Sequence, residues 1–558
     1  MPEISPLDYA FLLLESEENP KHVGPFKILR PPEGASADYV SQFVAKLRKF
    51  QPSPPFNYKL KVTIPNLLGM LPGIPSTDLV VPQWRVAKTV DMEQHVFHHV
   101  LSGPGSLDQL TKKVQELHQP LLNRKRPLWE CHVIEGYDGG RRFALYIKIH
   151  HALADGVLLA TRLVTNTSPA SDSESGMVFW TSPEGEVQPD HSENLLDDVS
   201  NMAKSLIKSS SMAGDVYMSV LRSGVGALFP KGSKKQTMPF SAPITQLDRQ
   251  PGVGRSLAFG SLPLARMKTL SKAVGATIND LLLTVIDIGV RRYLAESGTE
   301  PKQRMVALMP MSLRDKLDPS QANCVAGVTV NLGSADAAPL ERLREIGEET
   351  AEMKNVREHS ADTTMANSLV LSGLAQLGES LNLVGTISPL GNFIFSNVPG
   401  AREVRYQFDA QIEEIYPVSC LVPGTYMNIT AYSYGTQIYL QFIALEKAAP
   451  NLNDLLEHVL HAVQLLELEV SDKLTPVSAE KKASPSDAVR KPVDTVTPTK
   501  KPARPKKVAS SEDKPAVKKK PAKASAKKAT PKKKPAPAKK AAAKKAPATR
   551  RKRTVKSD

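Results

Sequence analysis

Residues 128–156, LWECHVIEGYDGGRRFALYIKIHHALADG, decide how the fold is read. Two strand-like runs, 128–134 (LWECHVI) and 143–149 (FALYIKI), flank Gly136-Tyr137-Asp138-Gly139-Gly140, and the Asp-Gly pair supplies the positive φ angles that a tight hairpin turn requires. In the second run Phe143, Leu145, Ile147 and Ile149 fall on one face and Ala144, Tyr146 and Lys148 on the other, which predicts a strand with one well-buried side. Leu159 and Leu163 then repeat at i, i+4, so a helix is expected to start near Gly156. The seven residues His150-His151-Ala152-Leu153-Ala154-Asp155-Gly156, an HHxxxDG pattern, therefore occupy a strand-to-helix turn.

A neutral histidine accepts a hydroxyl proton near physiological pH, because its unperturbed pKa is about 6.5. A base of this kind needs a fixed tautomer, and a nearby glycine lets backbone and substrate approach closely. Asp155 and Gly156 are the candidates for those two tasks. A purely architectural reading stands beside this one, with Asp155 as the N-cap of the following helix and the histidines as turn residues. Asn279 is open in the same way. Thr277-Ile278-Asn279-Asp280 resembles a capping box, while Ile278, Leu281, Leu282, Val285 and Ile286 form a helix face. Residues 392–395 (NFIF) read as a short strand, and Ser396 and Asn397 as a polar turn after it, able either to touch substrate or only to shape the turn. His95, His98 and His99 lack an Asp-Gly at the required offset and are left out of the candidate site.

Several segments together carry a resemblance. They are Ile4-Ser5-Pro6-Leu7-Asp8, then Phe11-Leu12-Leu13-Leu14-Glu15 and His22-Val23-Gly24; Arg126-Pro127-Leu128-Trp129-Glu130 before the hairpin; Asn279-Asp280; Pro310-Met311-Ser312-Leu313-Arg314; and Phe395-Ser396-Asn397-Val398-Pro399-Gly400. With HHxxxDG, and in this order, the chain resembles the bacterial bifunctional wax ester synthase/acyl-CoA:diacylglycerol acyltransferase family, within the chloramphenicol acetyltransferase-like superfamily. The resemblance covers residues 1–470. It implies an α+β fold in which two similar subdomains enclose a tunnel, with CoA and lipid acceptor entering from opposite ends.

It also implies acyl transfer from a thioester to a hydroxyl. His151 would act as general base on a fatty alcohol or diacylglycerol, His150 would support the turn or line the tunnel, Asp155 would orient the motif and Gly156 would leave room. Both substrates meet at one base, so no acyl-enzyme is required. Asn279 and Asp280 stand as supporting residues, as do Ser396 and Asn397. Pro127 and Trp129 match the family's PLW signature, and packing is the reading favoured for them. The resemblance calls for acyl-CoA as co-substrate, with no bound cofactor and no metal. The transition state needs an oxyanion stabiliser that the sequence does not assign.

Along the chain the expected organisation is an N-terminal acyltransferase subdomain (1–165), a linker and helical connection (166–254), a C-terminal subdomain (255–470) and a tail (471–558). Within the connection, residues 192–228 look helical. The second half shows strand-like runs at 328–332, 427–432 and 437–442 and a closing helix over 451–470, a mixed pattern rather than a regular βαβ series. Cys131, Cys324 and Cys420 are widely spaced and read as buried reduced thiols. No signal peptide and no apolar run of about 18 residues is evident, so a cytoplasmic enzyme peripherally associated with the inner membrane or lipid bodies is expected. Residues 66–75 (NLLGMLPGIP) and 369–384 (LVLSGLAQLGESLNLV) are candidates for interfacial contact, against a plain buried reading for each.

Charge separates tail from body. Residues 471–558 hold 29 Lys and Arg against 7 Asp and Glu, net +22, while the rest of the chain has 43 against 50, net −7. The tail contains no aromatic residue and is rich in Lys, Ala and Pro, so it is expected to be disordered. Lysine clusters of this kind suit anionic phospholipid first and nucleic acid second. Two further readings remain: another CoA-dependent acyltransferase of the superfamily, and a lipid-body or nucleoid-associated protein acting through its basic tail.

Overall fold

The computed structural model describes Ile4, Asp8, Phe11, Leu12 and residues 15–61, 83–172, 177–182, 240–312, 325–359 and 361–474. These residues lie in one compact unit, Met1–Ser478. Segments 66–75 and 192–228, Leu313, Arg314, Cys324 and the tail from 475 onward lie outside the described residues.

The strands in chain order are β1 (His22–Arg30), β2 (Tyr58–Lys61), β3 (Gln83–Val86), β4 (Val96–Val100), β5 (Trp129–Tyr137), β6 (Arg142–His150), β7 (Arg255–Pro263), β8 (Val306–Ser312), β9 (Val325–Asn331), β10 (Phe393–Pro399), β11 (Arg405–Gln407), β12 (Ala410–Val418), β13 (Met427–Tyr434) and β14 (Gln437–Leu445). The helices are α1 (Tyr39–Leu47), α2 (Leu107–His118), α3 (Gly156–Thr165), α4 (Leu264–Val274), α5 (Ile278–Glu296), α6 (Pro339–His359), α7 (Ala361–Ser380) and α8 (Leu452–Leu474). Two six-stranded sheets dominate, ordered β11-β12-β1-β6-β5-β4 and β7-β14-β13-β10-β8-β9, with a small β2-β3 ribbon beside them. The architecture is α+β, as the sequence predicts.

The β5–β6 hairpin forms where its alternation and turn place it. Asp138, Gly139 and Gly140 all adopt positive φ, at 56°, 65° and 84°. One expectation for β6 is corrected: both of its faces are buried, not one. Phe143, Leu145, Ile147 and Ile149 enter the apolar core with Cys131 and Val133. The opposite face carries Tyr146, Lys148 and His150 and is roofed by α2. There the Lys148 ammonium donates to the carbonyls of Leu117, at 2.9 Å, and Pro120, at the end of α2. His118 Nδ1 lies 2.6 Å from the Tyr146 hydroxyl. A cation at a helix C-terminus satisfies carbonyls that lack intrahelical partners, so a lysine in this strand is compatible with full burial.

The first sheet is completed from far along the chain. β1 pairs with β6 on one side, Phe26 opposite Tyr146, and with β12 on the other, Phe26 opposite Tyr416. β11 and β12, at 405–418, thus belong to the first sheet although they lie between β10 and β13 of the second in sequence. Where the sheets meet, the Phe259 ring of β7 packs at a tilt against both Phe26 and Tyr416, with centroids 5.0 Å apart in each pair. The Tyr439 hydroxyl donates to Glu413 O at 2.8 Å. A second core, built from Leu281, Leu282, Val285, Phe442, Leu455 and Val459, packs α5 and α8 on the other sheet. Among the described residues no single helix is long and apolar enough to cross a membrane.

Candidate active site

Strand β6 ends at His150 because its amide still pairs, donating to Leu128 O at 2.9 Å, while its carbonyl already turns to accept from Leu153 N at 2.9 Å. His151 is the first residue beyond the strand, and its amide donates to Lys21 O at 2.9 Å. Asp155 is the N-cap of α3, its Oδ1 accepting from Leu158 N at 2.8 Å. Both readings of Asp155 apply at once. It caps the helix, and its charge also acts on the His151 imidazole, raising that ring's affinity for a proton.

His151 stacks on Phe11, with ring centroids 4.0 Å apart and planes inclined by 20°. Burial pushes its pKa down to about 4, against the pull of Asp155 and with help from His150. The ring is therefore neutral at physiological pH, as a general base must be before it acts. A Cβ built on Gly156 meets nothing within 4 Å, so space is open at the start of α3.

His150 is fully buried. Its Nδ1 accepts from Ala152 N at 3.1 Å, which leaves the proton on Nε2, 3.4 Å from Glu15 Oε1. Glu15 is a residue that reasoning from sequence missed as a site member. It also accepts from the Lys21 amide at 3.3 Å and from Arg124 at 3.2 Å, and His22 Nδ1 lies 3.6 Å away. Burial alone would raise its pKa, but His150, the Lys21 amide and Arg124 outweigh burial and hold the carboxyl below its ordinary range. The signal available in sequence was an acidic residue closing the apolar run from Phe11 to Leu14. A carboxylate that folds in with such a run must find charged or N–H partners.

Lys21 is likewise buried, with its ammonium on Leu421 O at 2.9 Å, and burial depresses its pKa to about 8. Segment 15–22 therefore clamps the HHxxxDG turn from one side, through the Glu15 carboxylate and the Lys21 carbonyl.

The other sequence candidates are not joined to this cluster. Pro127 and Trp129 pack: Trp129 is fully buried, stacks 4.9 Å from Trp180 and donates to Phe56 O at 2.7 Å. Asp280 belongs to a capping box with Thr277 and accepts from Thr350 at 2.7 Å, so it pins α6 to the start of α5. Asn279 is half-buried in the same helical turn. Among the described residues no hydrogen bond links either of them to the histidine turn.

Ser396 and Asn397 require a correction, since they lie within β10 and not in a turn after it. They pair in parallel with Thr430 and Ala431 of β13, and the strand continues to Pro399. The interfacial suggestion for 369–384 meets burial of Leu371, Leu374 and Ala375. Cys131 and Cys420 are buried free thiols. Of the histidines set aside, His95 contacts Trp129 O at 2.8 Å and His98 contacts Glu135 at 2.8 Å.

Residues 4–282 match the wax ester synthase/diacylglycerol acyltransferase catalytic domain, and residues 321–467 the WS/DGAT C-terminal domain. The chain is 32% identical over 481 residues to the probable diacylglycerol O-acyltransferase Tgs4 of Mycobacterium tuberculosis, covering 84% of this chain and 97% of the relative. It is 30% identical over 476 residues to the O-acyltransferase WSD of Acinetobacter baylyi, covering 84% and 97%. Among solved structures it is similar to the wax ester synthase/diacylglycerol acyltransferase from Marinobacter aquaeolei VT8, with a TM-score of 0.62 and 27% identity over 84% of this chain and 100% of that one.

Proposed function

The chain belongs to the wax ester synthase/diacylglycerol acyltransferase family, and we propose that His151 is the general base of its acyl transfer. The protein moves a fatty acyl group from acyl-CoA to the free hydroxyl of a diacylglycerol or a long-chain alcohol, giving triacylglycerol or wax ester. In the proposed route His151 removes the hydroxyl proton as the oxygen attacks the thioester carbonyl carbon. The carbon–sulfur bond then breaks, and the CoA thiolate takes the proton back from the imidazolium. Asp155 favours the imidazolium while it exists, and the Glu15–His150 pair keeps the turn in place.

The observation that carries this reading is the His151 imidazole just beyond the strand end, its amide held on Lys21 O and its ring stacked on Phe11, with the charge of buried Asp155 acting on it. The test measures free CoA released from palmitoyl-CoA with hexadecanol or dioleoylglycerol. His151→Ala should lower kcat by roughly 10²- to 10⁴-fold, the usual span for losing a general base. Undiminished turnover in the variant removes His151 from the mechanism. No turnover by the wild type with either acceptor points to a different acceptor class.

The basic tail is read as the determinant of location, on a cytoplasmic enzyme that works at an inner-membrane or lipid-body surface. Its net charge of +22 on a mildly acidic body supports this, because each lysine near an anionic bilayer contributes about 1 kcal/mol. The family match ends at 467, so the tail adds to the catalytic body without belonging to it. Truncation after residue 475 should leave soluble transfer intact and abolish salt-sensitive binding to anionic vesicles. Equal vesicle binding at low salt by the truncated protein would overturn the assignment, and binding to DNA but not to vesicles would redirect it to nucleic acid.

A further inference from the structure

The small β2-β3 ribbon carries positive charge that no carboxylate in the described fold balances. Successive residues of a strand point to opposite sides, so the ribbon has two faces. Tyr58, Leu60, Trp84 and Val86 share one, where Trp84 is 2% exposed and the Tyr58 ring packs against it with centroids 6.2 Å apart. Lys59, Lys61, Gln83 and Arg85 share the other, with Lys59 directly opposite Arg85. Lys61 and Arg85 are exposed and Lys59 is half-buried. Directly paired residues stand about 5 Å apart at Cβ, so two like charges lie side by side, an arrangement that destabilises a ribbon until an anion bridges them.

A third cation joins them from another segment. The charges of Arg126 and Lys59 both act on the buried His95 ring, so the loop before β5 and the ribbon converge there. Arg126 is half-buried, and among the described residues its guanidinium donates only to Gln94 O, at 3.1 Å, which leaves most of its fork open to a further acceptor. Among the described residues none of Lys59, Lys61, Arg85 and Arg126 has a carboxylate partner. Two acids close in the fold are engaged elsewhere: Asp91 accepts from Glu93 N at 3.2 Å and from Gln94 at 2.6 Å, and Glu130 lies 3.4 Å from His132.

The group sits at the same end of the first sheet as the catalytic turn. Arg126 stands two residues before Leu128, whose carbonyl accepts from the His150 amide, a reach of about 7 Å of extended chain. The ribbon leaves from Phe56, whose carbonyl accepts from the Trp129 indole at 2.7 Å, and Trp129 pairs with Ile149 at the close of β6. Arg124, in the same loop as Arg126, donates to Leu12 O at 2.7 Å and to Glu15 at 3.2 Å, in the segment whose Phe11 stacks on His151. The cations are therefore close to the proposed base yet outside its buried turn.

A ligand suited to them carries phosphate on an arm that reaches away from the reacting atom. An acyl-CoA has this form, with the thioester at one end of the pantetheine arm and the diphosphate and 3′-phosphate at the other. Arginine matches two phosphate oxygens with its planar fork, and lysine supplies a point charge. The body without its tail is net −7, so a phosphorylated substrate is repelled on average and needs local cations where it lands. A bilayer headgroup would satisfy the same cations but gains nothing from their backbone connection to the catalytic turn. The exposed apolar side chain of the ribbon, Val86, also stands on the opposite face.

We propose that the outward face of the ribbon, together with Arg126, binds the phosphates of the acyl-CoA substrate, with Lys59 and Arg85 holding one phosphate between them. The proposal rests on the acyltransferase reading for the identity of the substrate and adds where its nucleotide end is held.

The test compares palmitoyl-CoA with palmitoyl-pantetheine, which keeps the thioester and lacks the phosphates. Thiol release with dioleoylglycerol is measured on the full-length protein at fixed ionic strength, and the tail, common to every variant, cancels from each comparison. Lys59→Glu and Arg85→Glu should each raise KM for palmitoyl-CoA roughly fivefold or more, the scale of one charge-assisted contact, and leave KM for palmitoyl-pantetheine within about twofold. Arg85→Lys keeps the charge but loses the fork, and its KM for palmitoyl-CoA should fall between wild type and Arg85→Glu. Binding of free coenzyme A, read by calorimetry, should weaken by a similar factor in both reversals. An equal rise for the two thioesters, or an unchanged KM for palmitoyl-CoA in both reversals, overturns the proposal. Loss of binding to phosphatidylglycerol vesicles with KM unchanged also overturns it and gives the face to lipid headgroups. Calorimetry needs no turnover, so a wild type that binds coenzyme A through this face but releases none from palmitoyl-CoA counts against the acyltransferase reading alone.

Discussion

Replacing Glu15 by alanine removes one carboxylate and strands several donors together. The Lys21 N–H loses its acceptor, the His150 imidazole loses the carboxylate 3.4 Å from its Nε2, and Arg124, whose side chain is 42% exposed, keeps only Leu12 O. An unsatisfied buried donor costs about 1–3 kcal/mol, so the stranded Lys21 amide sets a loss of that order. Arg124 adds little, because a solvated guanidinium recovers its hydrogen bonds from water. Glu15→Gln retains an acceptor oxygen and should lose less than half as much. The assay is urea unfolding followed by the fluorescence of the three buried tryptophans, Trp84, Trp129 and Trp180, at equal m-value, beside CoA release. The Glu15 carboxyl is depressed in the folded state, so its contribution is present above the unfolded pKa and disappears as pH falls through the folded one. The gap between wild type and Glu15→Ala should therefore close on acidification below about pH 4. A variant as stable as wild type at pH 7, or a gap that widens in acid, would refute the clamp.

Asp155→Ala should cost about 1 kcal/mol through the lost cap. It should also lower kcat by roughly tenfold or more, since each 1.36 kcal/mol of lost imidazolium stabilisation is one decade in rate; a loss of stability without a loss of rate would confine Asp155 to capping. Lys148→Met leaves the Leu117 and Pro120 carbonyls without their donor inside the fold, a loss of about 1–3 kcal/mol by thermal or chemical unfolding. Burial holds His151 and His95 at about 4 and His118 at about 3, so between roughly pH 6.5 and 4 the unfolded chain takes up protons that the native one refuses. Tm should fall across that window while the kcat of still-folded enzyme stays level down to about pH 5, and a Tm that rises on acidification would contradict the buried neutral histidines.

Features written locally were legible before the structure. The Asp-Gly turn, the strand at 143–149 and the capping box at Thr277 each depend on neighbours within a few residues, and each element formed where it was read. Lys148 shows where such reading stops. Its polar side chain marks a solvent face only if nothing covers it, and the roof comes from α2, some 30 positions upstream. Ser396 and Asn397 look like turn residues because their composition is polar, yet parallel pairing with β13 keeps the strand going. Glu15 escaped for the same reason, since its partners at positions 21, 22, 124 and 150 converge only in the folded chain. The motif thus pointed to the proposed base, while the residues that hold its turn were spread along the sequence.

Strand β1 has its second neighbour at β12, almost four hundred residues later, and that distance has a meaning during synthesis. At about 5–20 residues per second, Val418 leaves the ribosome roughly 20–80 s after His22, and until then one edge of β1 offers unpaired amides and carbonyls. The nascent first sheet is therefore an open template for tens of seconds, which makes it the natural client of a chaperone that shields strand edges. A translational pause before position 405 would lengthen that exposure, whereas one after 418 would leave it unchanged.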